Sequence, residues 1–279
     1  MNRSISLAAV LPVTVVVAAG ALVLSRKERT AKQLERFGAA ALETLLNAID
    51  ANDPVTGAHV RRVARYAIVL GDAMGVDDHQ GHDIERVALF HDIGKIHEAL
   101  FDVIHEDNKL SESERRAVNT HPQRGADVLK PLAAFYPDLP EGVLSHHERW
   151  DGTGYPRGLK GTAIPLSARV VAIADTFDAI THARRYRPGR TFTVGEELIA
   201  EGRGTQFDPD IVDLFLSPPV IKRIRDEKQA AAAAAVEKGS GHRPKRAEED
   251  VEGPDVSFRW RGSAPAQPAQ PPHSAARPA

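Results

Sequence analysis

The chain has 279 residues, 42% hydrophobic and 27% charged, enough for one large or two small globular domains. A net charge of −2 provides no global positive field, so no nucleic-acid polymer is expected as a partner and an anionic ligand must meet local charge. Cysteine is absent, which excludes disulfides, thiolate nucleophiles and zinc–thiolate sites and leaves histidine and carboxylates as metal ligands.

Residues 5–24, ISLAAVLPVTVVVAAGALVL, hold no charge and are long enough to cross a bilayer as one helix. Ala19-Gly20-Ala21 resembles a signal-peptide cleavage site, but the apolar run continues to Leu24. Arg26, Lys27, Arg29, Lys32 and Arg36 follow it against Arg3 alone before it, so the positive-inside rule puts the remainder in the cytoplasm. The expectation is a single-pass inner-membrane protein with a short segment at 1–4, a transmembrane helix at 5–24 and a basic juxtamembrane linker at 25–39.

Apolar residues Leu34, Phe37, Leu42, Leu45, Leu46 and Ile49 keep helical spacing. A second helix is expected over about 59–74 with Val60, Val63, Ala67, Leu70 and Met74 inward, and a third ends near Leu89-Phe90-His91. Ser111 with Glu114 forms a capping-box pattern that opens another. In HHERWDGTGYP, residues 146–156, two adjacent imidazoles can meet one point only near a helix end. The Asp151-Gly152-Thr153-Gly154-Tyr155-Pro156 run after them is a turn-rich loop. Alone, the stretch reads equally well as a solvated helix end with a surface turn.

Pro165 starts a helix running through Val170, Val171, Ala174 and Phe177; within it only Ala168–Ile173 is β-branched enough to suggest a strand. Later helices cover about 193–201 and 208–235. The fold class is all-α, with a main domain at 40–217 and a C-terminal helix at 218–235. The Pro/Ala-rich tail at 236–279 has too little apolar area to order itself and is expected to be disordered.

Candidate ligands are His59, His91, Asp92, His121, His146, His147 and Asp175, with Asp178 three residues on from Asp175 and on the same helix face. An aspartate on an apolar helix is costly unless paired or metal-bound. Five histidines and an aspartate, each at an end or on the inner face of a predicted helix, form a nitrogen–oxygen donor set suited to two transition-metal ions such as iron, manganese, nickel or zinc. His79, His82, His97, His105 and His182 read as surface histidines.

The sequence resembles the HD-GYP domain, a subgroup of the HD metal-dependent phosphohydrolases, over about residues 40–217. The matching motifs are His91-Asp92-Ile93-Gly94-Lys95, His121 with Gly125, His146-His147-Glu148 and Asp151 to Pro156. Further on come Gly158-Leu159, Gly161, Ile164-Pro165, Asp175-Thr176-Phe177-Asp178-Ala179, Arg184, Tyr186, Arg187 and Gly204 to Pro209. The resemblance implies a helical HD bundle with a C-terminal extension, and hydrolysis of cyclic di-GMP to pGpG or onward to GMP. It assigns one metal to His59, His91, Asp92 and Asp175, a second to His121, His146 and His147, and makes Asp92 the bridge. Iron or manganese is expected, with nickel, cobalt or zinc as alternatives.

A hydroxide held between two such ions is a strong nucleophile near neutral pH. Lys95, a helical turn past His91, is then placed to contact the scissile phosphate or the leaving oxygen, and Arg184 and Arg187 to clamp phosphates with planar forks. Asp178 is expected among the catalytic residues as an orienter of a ligand or the water, and Tyr155 on the substrate-site wall. The Gly-Tyr-Pro loop implies a signalling-protein partner as well, and homodimerisation is a further expectation. Two competing readings are a non-catalytic cyclic-dinucleotide receptor or interaction module, and an HD phosphohydrolase acting on another cyclic nucleotide.

Two departures from the family pattern stand out. Ile96 to Phe101 replaces a glycine and an Ile/Val-Pro-Asp loop, which bears on substrate access. Relatives with a third metal, which have been associated with cleavage through to GMP, use a glutamate four residues before the first ligand histidine; that position is Val55 here. A binuclear site that accumulates pGpG is expected.

Overall fold

A computed structural model describes residue 33 and residues 36–96, 111–183 and 188–240. The expected membrane span at 5–24, the substrate arginines Arg184 and Arg187, and most of the tail lie outside the described residues. Among the described residues no helix is long and apolar enough to cross a membrane. Two compact units are distinguished, 1–48 and 49–279. The described part of the first is helical and belongs to helix α1, residues 36–52. The account below concerns the second unit.

The described chain is helical, with no strand beyond one isolated bridge between Arg203 and Phe207. Helix α2 (Pro54–Met74) starts about a turn earlier than its apolar spacing indicates, because Asp53 caps it. Asp53 Oδ1 accepts from Val55 N at 2.9 Å, and Pro54 sits where a missing N–H costs nothing. Helix α3 (Asp78–Phe90) ends at His91 and leads into a 3-10 turn, Ile93–Ile96. Helix α4 (Glu112–Val118) carries both halves of the Ser111/Glu114 capping box. Helices α5 (His121–Leu129) and α6 (Asp138–Ser145) follow.

Helix α7 (Leu166–Thr181) is the central rod, packed by α2, α3 and α6. Ala168, Val170, Val171, Ile173, Ala174 and Phe177 are all fully buried along it, so its β-branched stretch forms helix; burial on several sides overrides the weak strand propensity. Phe177 meets Tyr66, Phe192 and Phe215 edge-on, with ring centroids 4.9–5.8 Å apart.

Helix α8 spans Phe192–Glu201. The helix expected over 208–235 is two: α9 (Pro209–Phe215) and α10 (Pro218–Ser240). Ser217 Oγ donates to Leu214 O at 2.6 Å, and Pro218-Pro219 supply no N–H to continue the ladder. Past 235, where the alanine run of 230–235 ends, the helix runs five residues further than expected, to Ser240.

Candidate metal centre

Helix ends supply most of the donors. The last carbonyls of a helix have no partner within it. Here they accept from imidazoles: His91 Nδ1 lies 2.8 Å from Ala88 O, His121 Nδ1 2.7 Å from Val118 O, and His146 Nδ1 2.6 Å from Val143 O. Each bond fixes the tautomer with the proton on Nδ1 and leaves the Nε2 lone pair facing inward. His146 caps α6 and His147 follows it, so the adjacent pair does turn inward at a helix end.

The Nε2 atoms and carboxylates gather into two groups. His59, His91 and Asp175 form one, and His121, His146 and His147 the other; within each, the donor atoms lie within 4.8 Å of one another. Asp92 stands between them. Its Oδ2 is 3.8 Å from His59 Nε2 and 3.6 Å from His91 Nε2, while its Oδ1 is 3.4 Å from His121 Nε2. His59 Nε2 is also 3.1 Å from Asp175 Oδ1.

Two observations test whether metal ions fit. His91 Nε2 is buried without a hydrogen-bond partner, an arrangement that costs free energy unless something else satisfies it. His121 Nε2 and His146 Nε2 face each other at 3.1 Å, although both rings carry their proton on Nδ1. Two lone pairs at that distance repel unless a cation lies beside them. The donor set fits two divalent ions.

The electrostatics divide the same way. Burial, with Lys95 and neighbouring imidazoles adding to it, lowers His121 and His147 to about 3 and His146 well below its ordinary range. These rings are neutral at physiological pH and ready to ligate. Burial also lowers His59, but hydrogen bonds to Asp175 and Asp178 outweigh it and raise the ring to about 9. Metal uptake on the His59 side therefore has to displace a proton. Burial would raise Asp92, yet Lys95 and the imidazoles of His91, His121 and His59 hold it well below the usual carboxylate range.

Lys95 Nζ is 2.6 Å from Asp92 Oδ1, with its side chain 27% exposed, at the rim of the second group. Asp178 does not face the site. It is buried, with Oδ2 2.7 Å from His59 Nδ1 and both oxygens held by the Arg62 fork at 2.8 and 2.9 Å. This geometry is that of an orienter of a ligand, His59, rather than of the water. Tyr155, half-buried, stacks on His147 with centroids 4.9 Å apart and planes 26° from parallel, which places it against the donor cluster.

Sequence reasoning missed three supporting residues. Arg62 follows His59 by three positions, a shared-face spacing that could have flagged it. His182, read as a surface histidine, has Nδ1 2.8 Å from Asp178 Oδ1, an oblique approach to the carboxylate. Glu148 is buried and accepts from Arg157 N at 2.8 Å and Leu159 N at 3.0 Å, which pins the Gly-Tyr-Pro loop beneath the histidine pair.

A family model described as HD domain matches residues 43–211, more than half of the chain and the whole of this constellation. The chain belongs to the HD domain family. Among its relatives is a 3'3'-cGAMP-specific phosphodiesterase 2 of Vibrio cholerae, 37% identical over 175 residues, covering 62% of this chain and 33% of that protein. The cyclic di-GMP phosphodiesterase response regulator RpfG of Xanthomonas campestris is 38% identical over 177 residues, covering 63% and 46%. A cyclic di-GMP phosphodiesterase of Vibrio cholerae is 32% identical over 209 residues, covering 70% and 42%. The chain thus spans less than half the length of each of these relatives.

The HD domain's first ligand helix also bears on metal number. Val55 is 67% exposed and carries no donor atom. Asp53 is engaged as the α2 cap, its Oδ2 accepting from Thr56 Oγ1 at 2.5 Å. Metal analysis of protein purified without chelator is expected to give about two ions per chain, unchanged by Asp53→Asn. A reproducible value near three that falls on that substitution would contradict the assignment.

Proposed function

We propose that this chain is a metal-dependent phosphodiesterase that opens the ring of a cyclic dinucleotide, cyclic di-GMP first. The observation that carries the reading is the pair of donor groups with Asp92 between them, its two oxygens turned to opposite sides. Two divalent ions bound there would supply an activated water and neutralise charge building on the attacked phosphoryl group.

The chain's own residues do the rest. Asp92 sets the spacing of the two groups and stays ionised while doing so. Lys95, partly exposed at the rim, reaches a phosphate oxygen or the leaving oxygen and offsets its charge. Tyr155, stacked on His147, and the loop held by Glu148 form a wall of the site. Arg184 and Arg187 complete the reading as phosphate clamps. With two metals, the linear dinucleotide pGpG is the accumulating product.

A second substrate, 3'3'-cGAMP, is favoured by the relative of that name at 37% identity. Purified protein with manganese or iron, offered cyclic di-GMP, 3'3'-cGAMP and their linear products, tests both. Opening of either ring supports the reading, and their rate ratio ranks the substrates. No turnover of any cyclic dinucleotide by metal-loaded protein contradicts it.

The same reading keeps residues 5–24 as a membrane anchor with the HD domain cytoplasmic, on the strength of the uncharged run and the basic cluster after it. Digestion of the domain by protease added outside intact spheroplasts would contradict that orientation.

A further inference from the structure

The buried carboxylate of Asp178 is approached by three side chains. Arg62 on α2 holds both its oxygens, His182 approaches Oδ1 just past the end of α7, and His59 Nδ1 meets Oδ2. The grip fixes the proton of His59 on Nδ1 and so aims Nε2 at the first donor group. It works only if the last turn of α7 stays closed. That turn exposes orphan carbonyls, as every helix C-terminus does. One of them, Thr181 O, accepts from Lys228 Nζ at 2.8 Å. Lys228 belongs to α10, which begins at Pro218, beyond the stretch matched by the family model.

The Lys228 contact matters for two reasons. A cation at a helix C-terminus is favoured by the dipole, and this one also closes a carbonyl buried among packed side chains. Thr181 is itself buried, and its hydroxyl donates back to Phe177 O at 2.9 Å, so the turn has no slack on its other side. His182 N completes the turn by donating to Asp178 O at 2.9 Å. Releasing Thr181 O would loosen the backbone from which both Asp178 and His182 project. Arg223 to Asp72, at 2.6 Å, ties the same helix to α2, which carries His59 and Arg62.

We propose that Arg62 and Lys228 are positioning residues for the His59 side of the metal centre, so that the C-terminal helix is a working part of that centre. Arg62 acts through Asp178 on the ring of His59. Lys228 acts one step further back, on the helix end that carries Asp178 and His182. The inference rests on the metal-dependent reading above, but it is read out by ion affinity rather than by turnover.

The test is calorimetric titration of Mn²⁺ into metal-free protein carrying His147→Ala, which disables the second group so that the remaining ion reports on the His59 side. Arg62→Met in that background is expected to weaken the ion ~10–100-fold, the usual loss for a partner that orients a ligand. Lys228→Met is expected to weaken it about tenfold, the lower end of that range. Arg62→Lys, which restores the charge but not the fork, should recover only part of the loss. A matched pair in a His59→Ala background should leave the ion held by the second group unaffected.

Wild-type affinity in both Arg62→Met and Lys228→Met would overturn the proposal. So would an equal loss in the two backgrounds, or a loss that tracks a lowered melting temperature, since either marks a merely structural role. Wild-type protein that binds no divalent ion at all would instead overturn the metal-dependent reading, and this inference with it.

Discussion

Replacing Asp92 with asparagine is expected to abolish hydrolysis, by ~10³-fold or more, the scale set by removing a group that stabilises charge at a reacting centre. Among the described residues Asp92 is the one carboxylate that reaches both donor groups, with Oδ2 toward His59 and His91 and Oδ1 toward His121. An asparagine keeps the shape but offers one oxygen and an uncharged NH₂, so it can serve one group at most. It also leaves the Lys95 ammonium without the partner 2.6 Å away. The helical circular dichroism should survive, because the chain around Asp92 is held by α3 and the Ile93–Ile96 turn rather than by the carboxylate. Steady-state kinetics with both metals in excess checks it. A rate close to wild type would mean that the centre lies elsewhere.

The second large effect is expected from Gly94→Ala. A Cβ at this position would stand 2.1 Å from His121 O and 2.7 Å from Gly125 N. Both are backbone atoms of α5 and cannot swing aside as a side chain could. The turn carrying Asp92 would have to part from the helix carrying His121, which opens the distance across which Asp92 bridges the two groups. Overpacking of this kind costs ~1–3 kcal/mol or more of stability. Displacement of the reacting groups by about 1 Å costs ~10²-fold in rate. Thermal unfolding and kinetics on the variant, with its bound metal counted, check both. Two tightly held ions and an undiminished rate would refute the close-approach argument.

The residues that could be read from sequence are those whose role is local. Two adjacent imidazoles converge only at a helix end, and His146 is the cap of α6. The Ser111/Glu114 box and the proline at the start of α7 act within a few residues of themselves, and both are where spacing puts them. The start of α2 is legible in Asp53-Pro54, which lie ahead of the apolar spacing that begins later. The break between α9 and α10 was legible in Pro218-Pro219.

What spacing cannot give is pairing across the chain. Arg62 and Asp178 are 116 residues apart, and His59 and Asp178 are 119 apart, so nothing local tells that Arg62 holds this aspartate or that His59 is the ligand it orients. His182 looked like a surface residue because its partner four positions earlier matters only once α7 is packed against α2. Glu148 is similar: its job is to hold the loop that follows it, nine and eleven residues on.

The measurement that bears most directly on the central claim is hydrolysis of cyclic di-GMP followed while Mn²⁺ is added stepwise to metal-free protein. If both donor groups beside Asp92 must be filled for reaction, the rate would be almost nil at one ion per chain and would plateau at about two. Full rate at a single ion per chain, or undiminished rate in excess chelator, would contradict it.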